Sequence, residues 1–227
     1  MLTKFTALAM GVLLSVSVSV SAADMATLTR QAQSGDVSAQ VDLAHEYYEQ
    51  GNHAKAFEWA TKAAGQGHAA AQYNLGVMYE FGKGVHQDDQ KAVEWYTKAA
   101  QQGYAVAQFN LGVMYEYGQG VRQDSHKAVE WYTKAAQQGH ADAQGILGML
   151  YYKGLGVRQD YHKAVQWYTK AAQQGDAKAQ TILGVMYEYG KGVRQNKSTA
   201  KRYYGQACDQ GAQLACDYYR ELNEQGY

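Results

Sequence analysis

The chain has 227 residues, with 21 basic and 21 acidic side chains, and therefore no formal net charge when histidine is neutral. This balance argues against a chain-wide basic surface of the kind that nucleic acids or anionic lipids require. Proline is absent and glycine occurs 24 times, which indicates that glycines with positive φ make the turns.

The first 23 residues have the pattern of a secretory signal peptide. Lys4 provides a positive charge, residues 5–20 are uncharged and mostly apolar, and Ser21-Ala22-Ala23 places small residues at a cleavage site. We predict cleavage after Ala23 and a mature protein that is periplasmic or secreted, with no membrane span left. An uncleaved signal anchor is the alternative interpretation.

The remainder of the chain is dominated by a period of 36 residues. Residues 71–80 read AQYNLGVMYE, residues 107–116 read AQFNLGVMYE, and the pattern returns at Ala143 and Ala179. Apolar residues at i, i+4, i+7 and i+8 predict a helix, here called helix A. A G-x-G-V segment then ends helix A, and an Asp such as Asp88 can cap a second helix, here called helix B.

Each period therefore predicts an antiparallel helical hairpin, and neighbouring hairpins are expected to stack. We predict five hairpins, a capping helix on either side, and an all-α fold, an α/α superhelical solenoid. The glycine that recurs inside helix A, as at Gly112, costs about 1 kcal/mol relative to alanine and so indicates close packing. The predicted segments are 24–35 (N-terminal cap), 36–66, 68–102, 104–138, 140–174, 176–210 (hairpins) and 211–227 (C-terminal cap).

The repeated pattern A-x-A-Q-x-x-L-G-x-x-Y-x-x-G-x-G-V-x-x-D-x-x-K-A-x-x-W-Y-x-K-A-A-x-Q-G closely resembles the Sel-1-like repeat family. The resemblance implies a right-handed superhelix related to tetratricopeptide arrays, with the A helices on its concave face. It also implies a scaffold or adaptor that mediates protein–protein interactions, and for exported bacterial members a role in the envelope. The expected partner is a protein and not a nucleic acid.

A narrower resemblance covers the C-terminal end. Residues 200–211 followed by Ala215-Cys216 look like one unit of the Helicobacter cysteine-rich proteins, some of which have penicillin binding and β-lactamase activity. This resemblance implies an alternative function, a β-lactamase-like hydrolase. Only one repeat of this chain carries the cysteine pair, and the equivalent positions elsewhere hold alanine and glutamine. That departure favours a chain that is not an enzyme.

The two cysteines, Cys208 and Cys216, have seven residues between them across a predicted helix–turn–helix. An exported protein reaches an oxidising compartment, where two cysteines usually pair. We predict a structural disulfide. A reactive redox pair is the alternative, although the C-x-x-C spacing of thiol oxidoreductases is missing.

Residues that carry catalytic or metal chemistry form no recognised constellation. The G-x-G pair occurs four times without a preceding strand or a following GK[ST], so we interpret it as an inter-helix turn and not as a phosphate loop. Equivalent histidines one repeat apart, His126 with His162 and His68 with His140, should be too far apart to share a metal ion, and we expect them to be solvated. We expect no catalytic residue, no metal and no cofactor.

The repeated Trp and Tyr of helix B have two interpretations. Trp95 and Tyr96 recur in step with the period, which allows a stacking ladder for sugars or peptides. Identical aromatic residues at helical spacing are, however, typical of an inter-helix core. We predict core packing.

Positions that differ between the copies are the candidates for recognition, because repeated positions are those that hold a stack together. We expect Tyr73 and Phe109 to be exposed aromatic anchors on the concave face for a segment of the partner. The alternative is that these positions are tolerated substitutions on a solvated face. The predicted binding residues are Tyr73, Asn74, Phe109, Asn110, Ile146, Tyr152 and Ile182.

Overall fold

The computed structural model describes residues 22–227, with side chains from Asp24 onward. Residues 1–21, which hold most of the predicted signal peptide, lie outside the described residues. The described part contains twelve α-helices and no strand. In chain order the helices are α1 (Ala22–Gln33), α2 (Val37–Glu49), α3 (His53–Gly65), α4 (Ala69–Phe81), α5 (Asp89–Gln101), α6 (Ala105–Tyr117), α7 (Ser125–Gln137), α8 (Ala141–Lys153), α9 (Tyr161–Gln173), α10 (Ala177–Tyr189), α11 (Lys197–Asp209) and α12 (Gln213–Glu224).

The chain forms two compact units, one ending at Trp95 and the other running from Tyr96 to Tyr227. In the first unit, α2 packs against α1 and α3, and α3 packs against α4. In the second unit, each helix from α6 to α12 packs against the next one along the chain. The even-numbered helices from α2 to α10 are the A helices, and the odd-numbered helices from α3 to α11 are the B helices. The predicted fold class, an all-α solenoid of helical hairpins, is confirmed.

The helix ends follow from side-chain and glycine caps. The backbone N–H of Lys127 donates to Asp124 Oδ1 at 3.0 Å, and the N–H of Lys163 donates to Asp160 Oδ1 at the same distance. Each carboxylate thereby satisfies a donor that the first turn of a B helix leaves free. Four A helices end at a glycine in the left-handed conformation, which a residue with a Cβ adopts only under strain. These glycines are Gly82, Gly118, Gly154 and Gly190.

The second glycine of the G-x-G pair allows a close approach between repeats. A Cβ added to Gly156 would lie 2.6 Å from the carbonyl oxygen of Ser125, the first residue of α7. A Cβ on Gly192 would collide in the same way with the backbone of Tyr161, the first residue of α9. Each of these connections therefore rests on the N-terminal end of the preceding B helix.

The glycine inside helix A makes room for the tyrosine of helix B. A Cβ on Gly112 would lie 2.7 Å from the ring carbons of Tyr132, and a Cβ on Gly148 would lie 2.7 Å from the ring of Tyr168. Both tyrosines are buried among alanines and A-helix leucines. The predicted close packing at these glycines is confirmed, because only a residue without a side chain lets the ring lie on the helix backbone.

A buried glutamine links each of four A helices, α2, α6, α8 and α10, to its neighbours. The Nε2 of Gln144 donates to the carbonyl oxygen of Ala136 at 3.0 Å, and its Oε1 accepts from Nε2 of Gln174 at 2.8 Å. The side chain of Gln144 thus connects α7, the B helix before it, to Gln174, the residue that follows α9. The same pair of hydrogen bonds occurs at Gln40, Gln108 and Gln180.

Candidate functional site

The two residues expected as exposed anchors are buried. Tyr73 is 2% exposed and Phe109 is 9% exposed, so the predicted exposure is wrong for both. The ring of Phe109 stacks on the ring of His140, with centroids 4.6 Å apart, and packs against Tyr132 at 5.7 Å. His140 lies just before the next A helix and covers Phe109 from that side.

Variation at this position reflects a change of packing partner. In the following repeat the equivalent residue is Gly145, where an added Cβ would lie 2.9 Å from Oδ2 of Asp176. Asp176 occupies the position of His140 one repeat later, immediately before its A helix. Phe109 therefore contacts a histidine whereas Gly145 lies beside an aspartate, so the two equivalent positions have different neighbours.

The remaining predicted residues are half-buried and mark a surface of the A helices in the second unit. Three of them occupy equivalent positions in α6, α8 and α10, namely Asn110, Ile146 and Ile182. In each of these helices, the residue three places further along the chain lies on the same face. Asn74 has the equivalent place in α4. We call the set of half-buried residues in the second unit the A-face, and it consists of Asn110, Val113, Ile146, Met149, Ile182 and Val185.

The A-face continues into exposed aromatic rings that the sequence analysis missed. Tyr117 is 62% exposed and Tyr189 is 65% exposed. Each lies seven residues after Asn110 or Ile182, which places it on the same face of its helix. The periodic signal was present in the sequence, but both residues immediately precede a G-x-G pair and so resembled part of the turn.

Tyr152 takes the place that glutamate holds in the neighbouring repeats. In the repeat before it, the hydroxyl of Tyr132 donates to Glu116 Oε2 at 2.5 Å, and in the repeat after it, the hydroxyl of Tyr204 donates to Glu188 Oε2 at 2.7 Å. In the middle repeat, the hydroxyl of Tyr152 instead accepts from Nζ of a lysine, Lys191, at 2.9 Å. This hydrogen bond is the main cause that raises the pKa of the lysine.

The tryptophans of helix B are packed less completely than the sequence predicted. Trp59 is buried, whereas Trp95, Trp131 and Trp167 are half-buried. In α7, the Nζ of Lys134 lies 4.0 Å from the ring centroid of Trp131, which is a cation–π arrangement. The tyrosine that follows each of the three half-buried tryptophans is buried in the core, as expected.

The four histidines that recur one repeat apart divide into two kinds. His126 and His162 are exposed, as predicted. His68 and His140 are half-buried caps instead, since the Nδ1 of each accepts the backbone N–H of the residue three places on, at 3.3 and 3.4 Å. Burial lowers the pKa of His140, and Asp142 acts in the opposite direction. Within residues 24–227, no three His, Cys, Asp or Glu side chains are grouped so that they could hold a metal ion.

The predicted disulfide joins Cys208 at the end of α11 to Cys216 in α12, with their Cα atoms 4.6 Å apart. It fastens the last helix of the chain to the B helix before it. None of the helices within residues 22–227 combines the length and the apolar character needed to cross a membrane.

The family match to this chain divides it into the same repeats as the helical hairpins. The Sel1 repeat family matches residues 37–68, 69–104, 105–140, 141–176 and 177–211. Among solved structures, the chain is similar to c5321, a protective antigen present in uropathogenic Escherichia coli strains that displays an SLR fold. The two are 39% identical over 89% of this chain and 44% of that chain, with a TM-score of 0.85. No curated protein sequence matches the chain.

Two further solved structures are similar. A Sel1 repeat protein from Oxalobacter formigenes is 35% identical over 88% of this chain and 59% of that one, with a TM-score of 0.77. Cysteine rich protein B from Helicobacter pylori is 29% identical over 58% of this chain and 94% of that one, with a TM-score of 0.46. The chain spans less than two thirds of the length of the Escherichia coli and Oxalobacter proteins.

Proposed function

This chain belongs to the Sel1 repeat family, and we propose that it is an exported scaffold that binds a segment of a partner protein on the A-face. Sel1 repeat folds commonly mediate protein–protein interactions. One observation carries the assignment to this surface: a half-buried stripe on neighbouring A helices ends in the exposed rings of Tyr117 and Tyr189. Large, rigid aromatic side chains beside apolar surface are the usual composition of interaction hot spots.

Two features support the exported location. Residues 1–23 have the charge and hydropathy pattern of a signal peptide. The Cys208–Cys216 disulfide is of the kind that persists in oxidising compartments. The envelope of a bacterium is therefore where we place the interaction.

The experiment compares the wild type with a Tyr117→Ser/Tyr189→Ser variant. Proximity labelling in cells identifies the partner, and calorimetry with the purified partner then measures its affinity. We expect the double variant to bind at least about tenfold more weakly, because each ring is an anchor. Its circular dichroism should be unchanged, since both side chains are exposed.

A matched control removes exposed apolar groups elsewhere. Leu214 and Tyr219 are also exposed but lie on α12, so Leu214→Ser/Tyr219→Ser should bind the partner as the wild type does. Equal affinity of the wild type and the A-face variant would exclude this surface. Turnover of nitrocefin by the purified mature protein, lost in a Cys208→Ser/Cys216→Ser variant, would instead support the hydrolase alternative.

A further inference from the structure

We propose that the connections between the A and B helices of the second unit form a basic edge that binds an acidic peptide segment of a partner. The basic edge is defined here as residues 117–127, 153–163 and 189–199, each running from the last residue of an A helix into the first turn of the next B helix. It adjoins the A-face at Tyr117 and Tyr189, but its positive charges belong to other residues, so the proposal does not depend on the A-face binding anything.

Positive charge increases along the equivalent connections. With histidine left aside, residues 81–91 hold two basic and two acidic side chains, and residues 117–127 hold two basic and one acidic. Residues 153–163 hold three basic and one acidic, and residues 189–199 hold three basic and none acidic. Because the whole chain is neutral, this positive charge is a local feature that its overall composition conceals.

The three connections of the basic edge lie against one another. Gly156 of the second connection approaches the carbonyl of Ser125 in the first, and Gly192 of the third approaches Tyr161 in the second. A surface groove of about 770 Å³ is lined by Arg122, His126 and Lys127 of the first connection together with Gly156 of the second. Successive connections are therefore in contact through their backbones, and the groove between the first two is lined by basic side chains together with Asp124.

The acidic residues on the edge are turned toward their own helices. Asp124 accepts the backbone N–H groups of His126 and Lys127, and Asp160 accepts the N–H of Lys163. The N–H of Lys127 is the main reason that the pKa of Asp124 lies below its usual value. These carboxylates are held as helix caps and keep their negative charge, which the counts above already set against the basic side chains. Asp160 also lies 4.0 Å from the Lys163 ammonium, at the limit of an ion pair.

The arginines are the groups that remain available to a partner. Arg122, Arg158 and Arg194 occur at the same place in successive connections, and all three are exposed. Each carries a planar guanidinium that can hold a carboxylate through two parallel hydrogen bonds. One arginine in each of the three connections makes a row of carboxylate-binding groups.

The row of arginines and the apolar content of the edge favour a peptide as the occupant. An extended peptide advances about 3.3 Å per residue, so acidic residues repeated along it can meet more than one arginine of the row. Leu155, 49% exposed, lies in the connection between those of Arg122 and Arg194. It offers contact to an apolar side chain of a peptide, for which a phosphate backbone has no equivalent.

The test uses a fluorescent peptide with glutamate at every third position and leucine or serine between, and a second peptide with glutamine in place of glutamate. Fluorescence anisotropy measures binding to the purified mature protein. We expect only the acidic peptide to bind, and its binding to weaken as salt rises from about 0.1 M to about 1 M, because the screening length falls from about 10 Å to about 3 Å.

Two triple variants, a test and a control, each remove three positive charges, and they do so at opposite ends of the helices. Arg122→Gln/Arg158→Gln/Arg194→Gln should weaken binding of the acidic peptide about tenfold or more. The control removes lysines near the C-terminal ends of α7 and α9 and the start of α10, and its affinity should stay within about twofold of the wild type. The control is Lys134→Gln/Lys170→Gln/Lys178→Gln.

Several results would overturn the proposal. They are no binding of the acidic peptide by the wild type, equal weakening by both triple variants, and tighter binding of phosphatidylglycerol vesicles or single-stranded DNA than of the peptide. The Tyr117→Ser/Tyr189→Ser variant separates the two proposals, because it removes the two rings and keeps the arginines that make the predicted ionic contacts. Loss of partner binding with retained peptide binding would support both proposals as separate sites, whereas retained binding of both partner and peptide would leave the basic edge standing alone.

Discussion

Gly112 of α6 lies directly beneath the ring of Tyr132 of α7, where a methyl group would lie only 2.7 Å from two ring carbons. The hydroxyl of the same tyrosine donates to Glu116, one turn further along α6. The ring is thus held between a bare stretch of helix backbone and a carboxylate. This arrangement explains why the repeat keeps a glycine at a position where helix propensity would favour alanine.

The first prediction concerns that glycine. Gly112→Ala should lower the free energy of unfolding by about 1–3 kcal/mol, because the ring must move and overpacking outweighs the better helix propensity. Urea denaturation followed by circular dichroism measures the change. Gly65→Ala is the matched control: no atom lies within 4 Å of the added Cβ, so it should gain up to about 1 kcal/mol. A stabilised Gly112→Ala variant would contradict the packing argument.

The second prediction concerns the buried glutamine of the middle repeat. Gln144→Ala should cost about 1–3 kcal/mol, because it removes hydrogen bonds to Ala136 and Gln174 and leaves a cavity at a buried position. Thermal and urea unfolding both report this loss. Gln137→Ala makes the same substitution at an exposed site of α7 and should stay within about 0.5 kcal/mol of the wild type. Similar losses in the two variants would argue against the role of the hydrogen bonds.

The third prediction is a pH dependence of stability. Burial lowers the pKa of His140, whereas the unfolded residue titrates near about 6.5. As the pH falls through that value, the unfolded chain takes up a proton before the folded chain does, so the free energy of unfolding decreases. Protonation of Nδ1 would also remove the cap on Ala143.

The measurement is urea denaturation at a series of pH values between 7 and 5, the range in which histidine usually titrates. His140→Asn keeps a capping acceptor without a titrating group, and we expect it to flatten this part of the stability profile. His162→Asn changes an exposed histidine and should leave the slope as it is. An unchanged slope in His140→Asn would contradict the assignment.

The fourth prediction concerns the disulfide. Cys208→Ser/Cys216→Ser should destabilise the chain by about 2–3 kcal/mol in the chain-entropy model for so short a loop. The loss should be concentrated at α12, which the bridge fastens to α11, and amide hydrogen exchange should show faster exchange there. Uniform loss of protection over the second unit would mean that α12 also supports the hairpins before it.

The helices were predictable from the sequence because their determinants are local. The four glycines that end A helices, as at Gly118, and the acidic caps, as at Asp124, act within one turn of the helix they delimit. The period itself identified which helices pair, since short connections leave little choice of neighbour. Close packing at Gly112 could be inferred because an unfavourable residue recurred at one register.

The candidate site was less predictable because exposure depends on neighbours. Phe109 differs between copies, as a recognition residue would, yet His140 of the next repeat covers it. Tyr117 and Tyr189 recur in two copies and so looked structural, although no neighbour covers more than a part of either ring. Variation between copies records both recognition and repacking, and sequence comparison within the chain does not separate them.

The sequence by itself determined the all-α hairpins, their order, their caps and the family to which the chain belongs, because helix periodicity and glycine turns are properties of adjacent residues. The tertiary structure decided which side chains reach solvent, where the glutamine hydrogen bonds run, and that the basic connections lie side by side. Those features arise where one repeat meets the next, so they depend on contacts between residues some 30 or more positions apart, such as Gln144 and Gln174.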